Sequence, residues 1–489
     1  MSVGAQAAVA TSPWHKALNS RQITMSPYFG AADFSGVWGS QRSSASVDVV
    51  SLADLLRNGF VYPPHSIYND VKVATFGFDP AEDMRADPTF RFKFRDSGKR
   101  RDRDDRRDWV GEFHRRLCDA YLRSCKDAKS PWLLQSGGKD STPLAIAAAE
   151  VRPDTVCITY LGGSEENEVG SANFVASKLG LRHETLVCDP GRAYDRYLDS
   201  LPRMPLLTAD FALLSYVDLA TEIARLGGDG VVDGMGADNY FGIPVGQQHH
   251  WLSAIACGMR LPSFLHQLPL LGANFKLCYL LSTLQMDPIE RVFPGSRFTD
   301  SEVDALFGTS IADRSKARLK QFDEEFASAT SADERFAMAL TVAGSTGGFA
   351  KGIFTASALS LVAAYPFCDA ELREWIYREV PPDQLIDPVT RTSKVLMRKY
   401  IATRFDALPY VARKKGSFRF DLCGLANRRF DQVYAYAVQA HDVLPGAAPW
   451  LVRNRRLLGN KYHASKFYLL AVVLPWIAAG PQRAGRSAA

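Results

Sequence analysis

The stretch Trp132-Leu-Leu-Gln-Ser-Gly-Gly-Lys-Asp-Ser-Thr142 decides the fold of this 489-residue chain. Its apolar start, Trp132 to Leu134, is typical of a short buried strand, and the Ala-rich run from Pro143 to Glu150 is typical of a helix. A polar turn with two glycines lies between them. A strand, a glycine turn and a helix in this order direct free backbone N–H groups at a phosphate. The sequence therefore predicts a phosphate-binding loop.

This loop is not a Walker A loop, because the chain contains no G-x-x-x-x-G-K-[ST] pattern. It resembles instead the S-G-G-x-D-S loop of ATP pyrophosphatases, which split ATP into AMP and pyrophosphate. The resemblance implies that the whole loop contacts ATP or its pyrophosphate, through Ser136, Gly137, Gly138, Lys139, Asp140 and Ser141. For Lys139 a solvated side chain is an equally good interpretation.

Further strands and helices alternate along the chain after this loop. Val156 to Tyr160, Glu184 to Cys188 and Gly230 to Asp233 have the composition of strands, and amphipathic helical stripes separate them. Such alternation predicts an α/β fold with a doubly wound parallel sheet. Ligands in these sheets bind at the carboxyl ends of the strands. Added helices are expected between about residues 250 and 400.

Four later stretches make the resemblance more specific. Asp233-Gly-Met-Gly-Ala-Asp-Asn-Tyr-Phe-Gly242 resembles the S-G-E-G-A-D-E-L-F-G-G signature of asparagine synthetase. Tyr365 to Asp369, Lys394 to Arg398 and Arg413 to Phe418 resemble that family's R-x-P-F-L-D, K-x-x-x-R and R-x-K-x-G-F stretches, in the family's order. The resemblance implies the adenine-nucleotide alpha-hydrolase-like fold of an N-type ATP pyrophosphatase.

The resemblance also implies site residues and cofactors, namely ATP and Mg²⁺. Asp140 and Asp238 are expected to hold Mg²⁺ and to be catalytic, because Mg²⁺ favours one or two carboxylates beside phosphate oxygens. A helix N-cap for Asp140 and a turn residue for Asp238 are the alternatives. Lys415 is expected to be catalytic, and its alternative is a solvated basic loop. The remaining nucleotide contacts are expected from Tyr160, Gly234 and Gly236.

Three departures from the family pattern bear on the source of nitrogen. Position 2 is Ser2, and no cysteine precedes Cys118, whereas the family's glutaminase uses an N-terminal cysteine. Met235 replaces a glutamate thought to act on the incoming nitrogen, and Asn239 replaces a second acid. The chain in these respects resembles members without glutaminase activity, such as β-lactam synthetases and lasso-peptide cyclases. We therefore expect that the chain does not make ammonia from glutamine, and both free ammonia and a separate ammonia-supplying protein stay open as sources of nitrogen.

The predicted domains follow from these stretches. Residues 1–108 are predicted to be a reduced or degenerate glutaminase-like region with a linker, since Leu55 to Val61 and Ser66 to Val71 look like the end of the family's glutaminase domain. Residues 109–480 are predicted to be the asparagine-synthetase-like ATP pyrophosphatase domain, and residues 481–489 a flexible tail.

The composition limits the classes of partner and the cellular location that we expect for this protein. The net charge of +5 is spread through the chain, which argues against a nucleic-acid partner. The eight cysteines form no C-x-x-C pair, so the sequence indicates neither a zinc nor a redox motif and fits a cytoplasmic protein. Phe467 to Ala479 is too short to span a bilayer and is predicted to be a buried helix.

The sequence thus predicts an ATP-dependent carbon–nitrogen ligase. It would adenylate a small-molecule or peptide carboxylate, release pyrophosphate, and transfer the acyl group to ammonia or an amine. The alternative is a catalytically altered nucleotide-binding partner protein of a biosynthetic complex, suggested by Met235 and Asn239.

Overall fold

The structure is a computed structural model. It describes residues 22–25, 46–69, 71–74, 78–80, 90–92, 107–162, 168–246, 261, 272–286, 290, 297–406, 408 and 420–479. The predictions made for the first 21 residues, for Lys415 and for the tail 481–489 fall outside these ranges.

The described strands fall into one central sheet and two small pairs. In chain order they are β1 (Gln22–Met25), β2 (Val71–Ala74), β3 (Phe78–Pro80), β4 (Phe90–Phe92), β5 (Pro131–Leu134), β6 (Val156–Leu161), β7 (Arg182–Val187), β8 (Gly230–Val232) and β9 (Val362–Ala364). The central sheet is parallel throughout, in the order β7-β6-β5-β8-β9. β1 pairs with β2 in parallel, and β3 with β4 antiparallel.

The helices are distributed around this sheet and in the long segment between β8 and β9. In chain order they are α1 (Val49–Asn58), α2 (Trp109–Ser124), α3 (Ser141–Val151), α4 (Val169–Lys178), α5 (Pro190–Ser200), α6 (Leu213–Arg225), α7 (Ala237–Phe241), α8 (Phe275–Leu284), α9 (Asp300–Phe307), α10 (Ala312–Ala317), α11 (Asp323–Ser328), α12 (Ala332–Ala343), α13 (Phe349–Leu359), α14 (Ala370–Arg378), α15 (Pro382–Leu385), α16 (Val395–Ala402), α17 (Leu422–Gln439), α18 (Ala447–Asn454) and α19 (Lys461–Ala478).

Helices cover both faces of β5. Trp132 packs in a cluster with Leu219 and Ile223 of α6, whereas Leu133 belongs to the main core together with Leu144 of α3. Successive strand residues point to opposite faces, so a strand buried on both sides is apolar throughout. The predicted doubly wound parallel α/β fold is confirmed.

The topology also fixes where a ligand can bind. β5 lies between β6 and β8, and the chain leaves it first towards β6 and β7 and returns on its other side at β8. A crevice opens where the strand order reverses in this way, beyond the carboxyl ends of the strands. The glycine loops that follow β5 and β8 therefore lie side by side.

The segment containing α1 shares the core of the synthetase-like region. Asp48 caps α1 by accepting the Val50 N–H at 3.0 Å, and Gly59 ends it with a φ of 83°. α1 packs against α9, α10 and α19, and the main core runs without a break from Val50 through the described residues to α19. The domain boundary at residue 108 stays a prediction, but residues 46–73 pack as part of the larger unit.

The structure changes some of the predicted elements. β9 was not predicted. The buried C-terminal helix is confirmed and begins earlier, at Lys461. It accommodates Pro475 because the Ala471 carbonyl, which loses its helical donor, accepts the Tyr194 hydroxyl at 3.0 Å. Among the described residues, no helix has the length and apolar character needed to cross a membrane.

Candidate active site

The loop after β5 is closed by its own side chains. The Ser136 N–H donates to Ser141 Oγ at 3.1 Å, and the Gly138 N–H donates to Ser136 Oγ at 3.3 Å. Gly137 has a φ of +63°, and a Cβ there would lie 2.5 Å from Ser171 Oγ and 2.7 Å from the Ser171 carbonyl carbon. Only glycine fits this backbone, because the loop is pressed against the start of α4.

The loop after β8 lies directly against the first loop. A Cβ on Gly234 would lie 3.2 Å from the Asp140 carbonyl oxygen, and Gly236 has a φ of +97° with Cys368 Sγ beside it. α7 begins one residue later and carries Asp238 in its first turn. Asp140 and Asp238, separated by almost a hundred positions in sequence, thus reach the same point at the sheet edge.

Lys394 joins these two aspartates. Its ammonium forms ion pairs with both Asp140 Oδ1 and Asp238 Oδ1, and its side chain is fully buried while theirs are 34% and 49% exposed. Burial disfavours the charged lysine, but the carboxylates of Asp238 and Asp140 outweigh it and raise the pKa of Lys394 above its ordinary value. Lys394 also has a left-handed backbone, with a φ of 60°. A non-glycine residue held in this conformation is typical of a functional site.

Two further cations lie near this pair. Lys139 is half-buried, and desolvation together with the charge of Lys394 lowers its pKa. Arg398, one helical turn after Lys394, interacts electrostatically with Asp140. Lys394, Lys139 and Arg398 thus surround the two aspartates with three cations, which can contact anionic groups of a ligand, while Glu168 and Asp233 add two more carboxylates to the cavity lining.

A cavity of about 680 Å³ begins at these loops. Ser136, Asp140, Asp238 and Gly236 belong to its lining, and so does Tyr160, near the end of β6. The size and the mixture of apolar walls with a few polar groups are typical of a small-molecule site.

The Tyr160 side chain is held in place from behind. Its hydroxyl donates to Asp218 at 3.3 Å, and burial raises its pKa. Asp218 is itself buried and paired with Arg192 at 2.8 Å and with Arg196 at 2.7 Å. Tyr160 therefore offers a ligand its ring rather than an acid–base group.

Another part of the cavity wall carries a lysine beside the substituted position, Met235. Lys351 Nζ lies 3.5 Å from Met235 Sδ, donates to the Gly348 carbonyl at 2.9 Å, and lies 3.6 Å from Asp210 Oδ1. A Cβ on Gly348 would lie 2.6 Å from Met235 Cε, so the glycine makes room for the methionine. Where the family signature has an acid, this chain has a thioether, a cation and a carboxylate from another element.

The residues present fit ATP and a divalent cation. Asp140 and Asp238 supply two carboxylates within reach of one cation-sized position, which Lys394 Nζ reaches. The two loops supply N–H and hydroxyl donors beside them. This donor set matches what Mg²⁺ and a polyphosphate need together.

Sequence reasoning found some of these residues and missed others. The cavity lining contains Ser136, Asp140, Ser141, Tyr160, Gly234, Gly236 and Asp238. It does not contain Gly137, Gly138 or Lys139, and Lys415 lies outside the described residues. Lys394 was marked only through its K-x-x-x-R motif. Lys351 and Asp210 were missed, since no local pattern distinguishes them from surface charges.

The fold and the candidate site are those of an α/β protein with two glycine loops at the switch point of a parallel sheet, where such sheets bind their ligands. The chain belongs to the asparagine synthase family, whose sequence pattern matches residues 115–435. This places it among ATP-using amide ligases.

The chain was also compared with solved structures and with curated proteins. An NH3-dependent NAD synthetase from Campylobacter jejuni subsp. jejuni NCTC 11168, solved in complex with the nitrate ion, matches at 13% identity and a TM-score of 0.22. That match covers 48% of this chain and 93% of the other. No curated protein matches this chain.

Proposed function

We propose that this protein activates a carboxylate with ATP and joins it to ammonia or an amine, forming an amide, AMP and pyrophosphate. The carboxylate oxygen attacks the α-phosphorus and pyrophosphate leaves. The amine nitrogen then attacks the acyl carbon and AMP leaves with the carbon–oxygen bond electrons. The acid and the amine are small molecules or peptides.

The observation that carries this proposal is the meeting of two carboxylates with two glycine loops at one sheet edge. Asp140 and Asp238 share the ammonium of Lys394, and the backbone of Asp140 leaves little room for a larger side chain at Gly234. A structural role for either aspartate would not require both to converge beside a glycine loop of N–H and hydroxyl groups. Metal and polyphosphate chemistry does require it.

For the first step we assign the loop to the departing pyrophosphate. The N–H groups of Gly137 and Gly138 and the hydroxyls of Ser136 and Ser141 neutralise its growing charge. Mg²⁺, held by Asp140 and Asp238, would add charge neutralisation when bound. Tyr160 gives the nucleotide an apolar wall.

For the second step a residue other than Met235 must take the proton of the nitrogen. Asp210 is a carboxylate of the same cavity wall, and its neighbour Lys351 reaches the Met235 sulfur. We assign proton acceptance to Asp210, with Lys351 holding it in place. Lys415 remains assigned to the charge on the tetrahedral intermediate, from its motif alone.

The experiment is a pyrophosphate-release screen. The protein is incubated with ATP, Mg²⁺ and a panel of carboxylic acids, each with and without ammonia or amines, and nucleotides are separated afterwards. We expect an acid that releases pyrophosphate and leaves AMP, and an Asp238→Asn variant that releases none. Formation of ADP would refute the reaction type.

The screen also separates the two function classes. Tight ATP binding with no pyrophosphate from any acid, in the presence of amines, would favour the nucleotide-binding partner protein. Ammonia supplied by a separate protein would show as activity with ammonium salts and none with glutamine.

A further inference from the structure

We propose that Lys394 is the resident cation of the Asp140–Asp238 pair, so that a divalent metal ion enters only together with a polyphosphate. The inference rests on the proposed function for its ligands, ATP and Mg²⁺. It adds an order of binding and gives Lys394 a role in setting it.

The geometry is the first support. One ammonium contacts both carboxylates that a metal would need, and it reaches them from a fully buried position. The helix start fixes Lys394 there, since its left-handed backbone precedes α16 directly. A metal ion cannot coordinate both aspartates while this ammonium lies between them.

The charge balance is the second support. With Lys394 in place, its ammonium already neutralises part of the charge of the two aspartates, and Lys139 and Arg398 add positive charge close to Asp140, which disfavours the entry of a bare divalent ion. Displacing Lys394 without a new partner would strand a buried ammonium, which is strongly unfavourable. A metal ion alone supplies no such partner.

A polyphosphate removes both obstacles. Its oxygens offer Lys394 a new anionic partner and neutralise Lys139 and Arg398, and they complete the coordination shell of the metal. Lys394 then moves from carboxylate to phosphate, and the two aspartates become available. Metal and nucleotide therefore bind together: the metal ion replaces the ammonium at the two aspartates, and the phosphates give the displaced ammonium a new anionic partner.

The test uses Mn²⁺ as the probe and counts the bound ion by electron paramagnetic resonance, with no turnover. Without nucleotide, we expect the wild-type protein to have no Mn²⁺ site that is lost in the Asp140→Asn variant. With α,β-methylene-ATP present and protein in excess, Mn²⁺ is retained by the wild type and not by Asp140→Asn. Lys394→Gln should bind Mn²⁺ without nucleotide at least about tenfold more tightly than the wild type does.

Lys399→Gln is the matched control, because Lys399 is on the same helix but exposed and bonded to Gln384. It should behave like the wild type. Asp140-dependent Mn²⁺ binding to the free wild type, or no retention with the nucleotide analogue, would overturn the inference even if Lys394→Gln failed to fold. If the Mn²⁺ results are as expected but the screen finds no pyrophosphate release, only the proposed reaction is overturned.

Discussion

Replacing Arg57 by methionine should destabilise the protein by about 3–5 kcal/mol, although Arg57 lies in the N-terminal segment. Its guanidinium is 2% exposed and contacts Glu290 at 2.5 Å and Asp300 at 3.0 Å, and it donates to Ser315 Oγ at 2.9 Å. Methionine keeps the packing of the side-chain stem but removes the charge. The variant therefore leaves Glu290, itself 2% exposed, as a buried carboxylate without its main partner.

The remaining contacts of Glu290 set the size of the effect. Tyr62 still donates to it at 3.0 Å, and Arg297 lies 3.7 Å away. These contacts favour the lower half of the range. Adding Glu290→Gln removes the unpaired charge, so the double variant should recover at least about 1 kcal/mol of the loss.

The measurement is urea denaturation followed by tryptophan fluorescence. Arg115→Met is the matched control, because Arg115 is 63% exposed and should change the stability by less than about 0.5 kcal/mol. An Arg57→Met variant as stable as this control would contradict the packing of α1 into the synthetase-like region. A variant lacking residues 1–75 that kept the wild-type urea midpoint would contradict this packing too.

Three further predictions concern activity. Asp140→Asn should lower pyrophosphate release at least about a hundredfold while the protein stays folded, measured by coupled pyrophosphate detection and circular dichroism. Asp210→Asn should leave acid-dependent ATP–pyrophosphate exchange near wild type and slow amide formation at least about tenfold, with a changed pH profile; equal loss in both assays would contradict its assignment. Lys415→Ala should leave ATP affinity nearly unchanged and strongly slow amide formation, whereas Lys414→Ala should be mild; a wild-type rate for Lys415→Ala would refute its role.

The central sheet could be predicted because its strands are short apolar runs between glycine turns and amphipathic helices. Trp132 to Leu134 carries that signal within a few residues. β9 escaped prediction because Val-Ala-Ala is too short and too small to stand out, and only its pairing with β8 defines it. The packing of α1 into the larger unit also escaped, since its partners lie more than two hundred residues away.

The candidate site likewise contains residues that the sequence predicted and contacts that it could not predict. Asp140 and Asp238 could be predicted because each belongs to a local motif with glycines at fixed spacing. The Lys394 contacts could not, because the lysine is 254 positions from Asp140. The same holds for Lys351 and Met235, which are 116 positions apart. Tertiary packing alone creates these pairs.

The departures from the family signature are not spread evenly over the cavity. The glycine loops, both aspartates and Lys394 are kept, whereas the two changed positions of the signature, Met235 and Asn239, lie in the loop after β8 and in α7, with Met235 beside Lys351. A protein that no longer used nucleotides would have no physical need for a buried lysine that contacts both aspartates. We infer that activation of the acid is retained and that the nucleophile is what changed. A thioether in place of an acid makes the wall at this position less polar and removes a proton acceptor, which favours an amine with an apolar substituent over ammonia.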